Sequence, residues 1–306
     1  MPLHHRLRAT ALLAAAGALA AVTLVGTGGT ASANSTRVNQ LLTEAAKTES
    51  AAYLQYNAYA DAAQKRGETS IANVWRAVAK VEHQDHYTHE VTLANLYSSS
   101  DNNGNLKIAI AQAQQTAKDF ETYAGQVPQH SAAQRELRAL AGRERADASL
   151  LQQALNGHTP TAPHVTRVGV ITAKTAKYSG TTYTKLTDAL SDSAWNWAEY
   201  QGMAKTAVDT GNAKLAALFG ALENQEAQEN WVSVSNVAGY VNGTARNLQE
   251  SIKSEQGAEQ MYTTYAQQAK AAGNATVADA FTSIKGDEHG HEMAFTSELH
   301  DLSGAR

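Results

Sequence analysis

Apolar residues recur every three or four positions through most of this chain, which is the helical period. Ala45, Glu49, Ala52, Tyr53, Tyr56 and Ala60 share one such face, because residues three and four apart lie above one another on a helix. Lys65-Arg66-Gly67 then provides a basic last turn and a glycine stop. The pattern resumes by Ser70, with Ile71, Val74, Trp75, Val78, Val81 and Glu82 directed inward. Two helices joined by a short turn are predicted, forming a helical hairpin.

The hairpin repeats. Placing Gly67 over Gly211, 144 positions on, superposes Tyr56 on Tyr200, Trp75 on Phe219, Glu82 on Glu226 and Asp85 on Glu229. Placing Gly67 over Gly273 superposes Glu49 on Glu255, Tyr56 on Tyr262, Glu82 on Glu288 and Asp85 on His291. A fainter copy carries Arg138-Ala139-Leu140-Ala141, Glu144 and Asp147 in the places of Arg76-Ala77-Val78-Ala79, Glu82 and Asp85. Repeats of this size denote stacked supersecondary units. The expected fold is therefore all-α, with four helical hairpins making two tandem four-helix bundles. In chain order the bundles are expected over residues 34–156 and 181–306. The stretch 157–180, with Pro160, Pro163 and no helical period, is the expected linker.

Composition removes several classes of function. The 306 residues include no Cys, which excludes disulfides, thiolate–metal sites and thiol catalysis. The net charge of −4 comes without a basic stripe, so nucleic acid is not an expected partner. Arg6 and Arg8 precede an uncharged apolar run from Ala11 to Val25 and the tripeptide Ala31-Ser32-Ala33, the order of a secretory signal peptide. Residues 1–33 are thus expected to be removed near Ala33, and the mature chain to be secreted without a membrane span. The alanine- and glycine-rich leader reads as bacterial.

The inward faces carry the chemistry. Burying a carboxylate without compensation costs several kcal/mol. Glutamates and a histidine converging from four helices are best satisfied by hard multivalent cations, and acid and donor at i, i+3 reach one cavity. In each hairpin that keeps both, the second glutamate, with Asp85 or His291 three residues on, follows the first by the same 33 residues. By bundle the metal candidates are Glu49, Glu82, Asp85, Glu144 and Asp147, then Glu226, Glu229, Glu255, Glu288 and His291.

At these residues the sequence resembles the rubrerythrin branch of the ferritin-like family. Glu49 with Ala-Ala-Tyr-Leu-Gln-Tyr is similar to that family's first metal helix, and Glu255 with Glu288-His289-Gly290-His291 is similar to its complete half-site. The other units depart from the motif: Asp85 stands where a histidine is expected, with His86 beside it, Ala111 or Gln112 replaces one helix glutamate and Ser193 another. The resemblance implies a di-iron or manganese centre, with the second bundle the better redox candidate, and O2 or H2O2 as oxidant. Rubrerythrins also carry a cysteine-ligated iron domain that a chain without cysteine lacks, so oxidation of Fe(II) is the simpler expected reaction. The alternative is a non-catalytic helical protein that sequesters metal or acts at the cell envelope. Members of the family commonly dimerise, and two bundles in one chain can replace that dimer.

Tyr56, Tyr200 and Tyr262 fall seven residues after the glutamate position, as hydroxyl donors to ligands or as core residues. His83, His86 and His89 run along one helix, either as a peripheral Zn, Cu or Ni site or as a solvated face. Asn34, Asn242 and Asn274 begin glycosylation sequons.

Overall fold

The computed structural model describes residues 30–304. The expected leader lies outside them but for its last four positions. Every regular element among the described residues is helical: α1 (Thr30–Lys65), α2 (Thr69–Val81), α3 (Thr88–Ala94), α4 (Asn102–Gln126), α5 (Ala132–Leu155), α6 (Gly180–Asp209), α7 (Ala213–Gln225), α8 (Trp231–Ala238), α9 (Thr244–Ala271) and α10 (Ala275–Gly304). Between α2 and α3 the helix widens into a π turn over Glu82–Tyr87, and between α7 and α8 it does so again over Glu226–Asn230. No described helix is long and apolar enough to cross a membrane.

Four hairpins result: α1 with α2–α3, α4 with α5, α6 with α7–α8, and α9 with α10. The repeated turn has a repeated structure. Gly67, Gly211 and Gly273 all adopt φ between 75° and 81°, where a side chain would be strained. The following amides of Glu68, Asn212 and Asn274 bond back to Ala63, Ala207 and Ala269 at 2.8–3.1 Å, closing the last helical carbonyls. Asn212 and Asn274 then cap the next helix, their side chains accepting from Leu215 N and Val277 N.

The hairpins do not pair in chain order. The first packs on the fourth: Trp75 Nε1 donates to Ser251 Oγ at 3.0 Å, Tyr56 donates to Glu255, and Tyr262 donates to Glu49. The second packs on the third: Gln225 Nε2 donates to Asp147 at 2.6 Å and Arg143 Nε to Asn230 at 2.5 Å. The bundles meet where α1 lies along α6, with Tyr53 stacked on Trp197 (4.7 Å between rings, 5° between planes) and Lys47 paired with Asp192. Tandem bundles over 34–156 and 181–306 are therefore replaced by an outer pair enclosing an inner pair in the sequence.

Residues 158–179 carry no regular element, as expected of a linker, but they are fastened down. The amides of Val168, Ala173 and Lys177 bond to Gln228, Val241 and Ala238 at 2.8–3.2 Å, and Asn236 holds both Ile171 N and Gly169 O. The strap thus follows the second π turn and α8, satisfying backbone groups that would otherwise be orphaned.

Candidate metal centre

Six donors meet between the first and fourth hairpins. One ligand atom from each of Glu49, Glu82, His86 and Glu288 lies within 4.8 Å of the others, and the same holds for Glu82, Glu255, Glu288 and His291. Glu82 and Glu288 belong to both sets. Glu82 turns Oε2 to His86 Nδ1 (2.9 Å) and Oε1 to His291 Nδ1 (3.1 Å). Glu288 turns Oε1 to His86 Nδ1 and Oε2 to His291 Nδ1, both at 3.4 Å. Glu49 and Glu255 complete the two ends, each 3.8 Å from its histidine. The arrangement is close to two-fold, as expected when the first and fourth hairpins are copies of one unit.

A cradle of hydroxyls supports the ends in the same symmetric way. Tyr56 donates to Glu255 Oε1 and Tyr262 to Glu49 Oε1. Tyr262 also touches Glu90 Oε1 at 2.8 Å, bringing a fifth buried carboxyl to one side. Behind His86, Asp287 Oδ2 approaches Nε2 at 3.4 Å, a carboxylate placed to orient the ring. The four shared and terminal glutamates are at most 2% exposed.

The donor set fits two divalent ions. Four carboxylates balance four positive charges, each set offers one imidazole nitrogen with carboxylate oxygens, and such mixed N,O sets suit Fe and Mn. Buried polar atoms left without a hydrogen-bond partner include Glu82 Oε1, Glu288 Oε1, His291 Nδ1 and Glu90 Oε2, an accumulation that a folded core avoids unless an ion occupies it. Without an ion, protons carry the compensating charge. Burial pushes Glu82 up to about 8, reinforced by the charges of Glu49 and Glu255. Burial opposes charging of His291, yet the neighbouring carboxylates of Glu255, Glu288 and Glu82 push it up to about 12. His86 is likewise held far above the usual imidazole range by Glu288, Glu49 and Glu82, against its burial. Glu49 feels burial most strongly, but His86 outweighs it and the net shift is downward. Glu90 rises well above the carboxylate range through burial and the charge of Glu49.

Glu49, Glu82, Glu255, Glu288 and His291, anticipated from the sequence, are thus brought together, but across the expected bundle boundary. Glu144, Asp147 and Glu226 gather separately between the second and third hairpins. Asp85 and Glu229 join neither cluster. Asp85 is exposed, and Glu229 accepts the Thr166 amide at 3.1 Å on the strap. Both sit at i+3 in a π turn, where the wider helix rotates them outward and brings i+4 inward instead: His86 in one turn, Asn230 in the other. His86 therefore belongs to the buried cluster and not to a peripheral site or a solvated face. That run is split, with His83 beside Gln201, His86 buried and His89 exposed. Glu90 was missed, although Glu82, His86 and Glu90 recur at intervals of four. Asn242 is also no open acceptor, because its side-chain amide is buried and bonded to the Gly239 and Tyr240 carbonyls.

Neither a curated protein nor a solved structure matches the chain. The rubrerythrin family model matches residues 246–306, the segment that supplies Glu255, Glu288 and His291. The last hairpin is thus similar in sequence to the rubrerythrin family.

Proposed function

We propose that the bundle of first and fourth hairpins holds two iron or manganese ions, and that the chain is an exported oxidoreductase that oxidises Fe(II) with hydrogen peroxide or dioxygen. The observation that carries this reading is the pair of shared carboxylates, Glu82 and Glu288, each turning one oxygen to each histidine. Glu49 with His86 and Glu255 with His291 would hold one ion each, and Glu82 and Glu288 would serve both. Bound there, the ions supply one-electron redox chemistry at two adjacent centres.

The chain's own groups do the rest. Tyr56 and Tyr262 fix the terminal carboxylates by occupying one oxygen each, so the remaining oxygens stay aimed inward. Glu90 Oε2, buried and unpartnered, is a place where a proton can be held beside the Tyr262 hydroxyl. With peroxide the overall change is two Fe(II) losing one electron each while peroxide takes two electrons and two protons to give two waters. Export is supported by the basic, apolar and Ala-x-Ala order of residues 1–33.

Metal analysis of the purified chain beside a Glu288→Ala/His291→Ala variant tests the centre. The wild-type chain is expected to hold two iron or manganese ions more than the variant, together with optically followed Fe(II) oxidation that the variant does not accelerate. Equal metal content in the two folded proteins would end the reading.

A further inference from the structure

The second acidic cluster lies in the other bundle, apart from the centre just described. Glu144 and Asp147 on α5 and Glu226 at the start of the second π turn each bring one oxygen within 4.8 Å of the others. All three are at most 1% exposed. Neither oxygen of Glu144 nor of Glu226 has a hydrogen-bond partner. The surrounding polar groups are unsatisfied as well: Ser193 Oγ, Asn196 Nδ2, the Tyr200 hydroxyl and Asn230 Nδ2, on residues that are at most 1% exposed. Ser193 and Asn230 face Glu226, and Asn196 faces Glu144. Three buried side chains, Ser193, Asn196 and Asn230, thus bring atoms without a geometric hydrogen-bond partner to one acidic pocket, a pattern that closed cores avoid.

We propose that Glu144, Asp147 and Glu226 form a second, mononuclear site for one hard divalent cation, independent of the two-ion centre. The repeat explains why one ion and not two. The shift of 144 residues carries Glu82 to Glu226 and Glu288 to Glu144, so both shared carboxylates persist. It also carries Glu49 to Ser193, His86 to Asn230, Glu255 to Ala111 and His291 to Asp147, so the terminal donors of two separate ions do not. The cluster has carboxylate, hydroxyl and amide groups but no imidazole. That set favours Mn(II), Mg(II) or Ca(II) over Zn(II) or Cu(II), which take nitrogen readily.

Charge agrees with a single ion. Three carboxylates around one divalent cation leave one negative charge, and Arg143 stands beside it, its Nε donating to Asn230 Oδ1 at 2.5 Å. Ser193 Oγ supplies a neutral oxygen. The Asn196 and Asn230 amides are placed to donate to the carboxylate lone pairs that an ion leaves free.

The test uses Mn(II) as probe in a Glu82→Gln/Glu288→Gln chain, which lacks the shared carboxylates of the other site. After desalting, about one Mn(II) per chain with an uncoupled six-line EPR signal is expected. Adding Glu144→Gln and Glu226→Gln should abolish that retention. A folded Glu82→Gln/Glu288→Gln chain that retains no Mn(II) overturns the proposal, because the cluster is then neutralised by protons alone. If that variant does not fold, the wild-type chain is titrated. An uncoupled signal that the Glu144→Gln/Glu226→Gln variant lacks supports the site, and identical signals in the two chains overturn it. Failure of the two-ion centre would instead appear as a missing coupled pair, leaving the uncoupled ion in place.

Discussion

Glu199 marks the difference between a buried acid with a task and one without. The acids between the first and fourth hairpins face imidazoles and hydroxyls, and those between the second and third gather against one another. Glu199 is buried on α6 with only the more distant charge of Lys47 to help it, and burial pushes its carboxyl up to about 8. The folded value thus exceeds the unfolded one, near 4.5. The folded chain keeps a proton that the unfolded chain releases, so the stability present below about pH 4.5 is lost progressively as pH rises toward 8. At about 1.4 kcal/mol per pH unit, the loss reaches a few kcal/mol across that window. Glu199→Gln should remove it. Urea midpoints of wild type and variant should therefore diverge as pH rises from 5 to 8, with the variant the more stable; parallel curves would refute the assignment. Nothing in the sequence separates Glu199 from a solvated helix acid, because Ala198 and Tyr200 beside it are what any amphipathic helix supplies. Glu49 and Glu255 were legible for the opposite reason: they recur in register with a second acidic motif 33 residues on.

At the scale of elements, the helices and their turns follow from local chemistry that the sequence states openly. Gly67, Gly211 and Gly273 end helices wherever the pattern calls for an end, and Asn212 and Asn274 restart them. The π turns were hidden, because widening a helix by one residue leaves no propensity signature and is stabilised by what the rotated side chain reaches. In the first turn that reward is His86, placed at i+4 from Glu82, as His291 is placed at i+3 from Glu288. The turn therefore behaves as one extra residue absorbed locally, with Gln84 and Asp85 bulging into solvent. Deleting Gln84 should let the helix close to α geometry with His86 at i+3. The faces of α3 that bury Glu90, Val91 and Ala94 would be kept, and the chain should retain both ions with less than about a twofold change in affinity. Inserting an alanine after Gln84 should turn His86 away and release them. Metal analysis with helical content by circular dichroism reads both outcomes, and loss of metal from a folded deletion variant would sink this account of the turn.

For the molecule as a whole, four hairpins could be recognised in the sequence but their partners could not. A shift of 144 residues carries Glu82 to Glu226 and Glu144 to Glu288, and this holds equally whether the first hairpin pairs with the second or with the fourth. Every hairpin also presents the same kind of apolar and acidic face, so periodicity is silent on which two faces meet. What decides is the contact chemistry: Trp75 with Ser251, Tyr56 with Glu255 and Tyr262 with Glu49 outside, Gln225 with Asp147 and Arg143 with Asn230 inside. Each bundle consequently draws one hairpin from either side of the strap at 158–179, and neither half of the chain contains a whole centre. Cutting the backbone at a protease site placed at the exposed Thr161–Ala162 junction, ahead of the fastened part of the strap, should leave both halves bound to one another. They should co-elute from size exclusion as one particle with the metal content of the uncut chain, and part only in denaturant, with release of the ions. Two bundles each made of consecutive hairpins would need only the α1–α6 seam to stay joined, and their halves would carry separate sites. Halves that separate in native buffer, each with its own metal, would overturn the crossed pairing and with it the shared roles of Glu82 and Glu288.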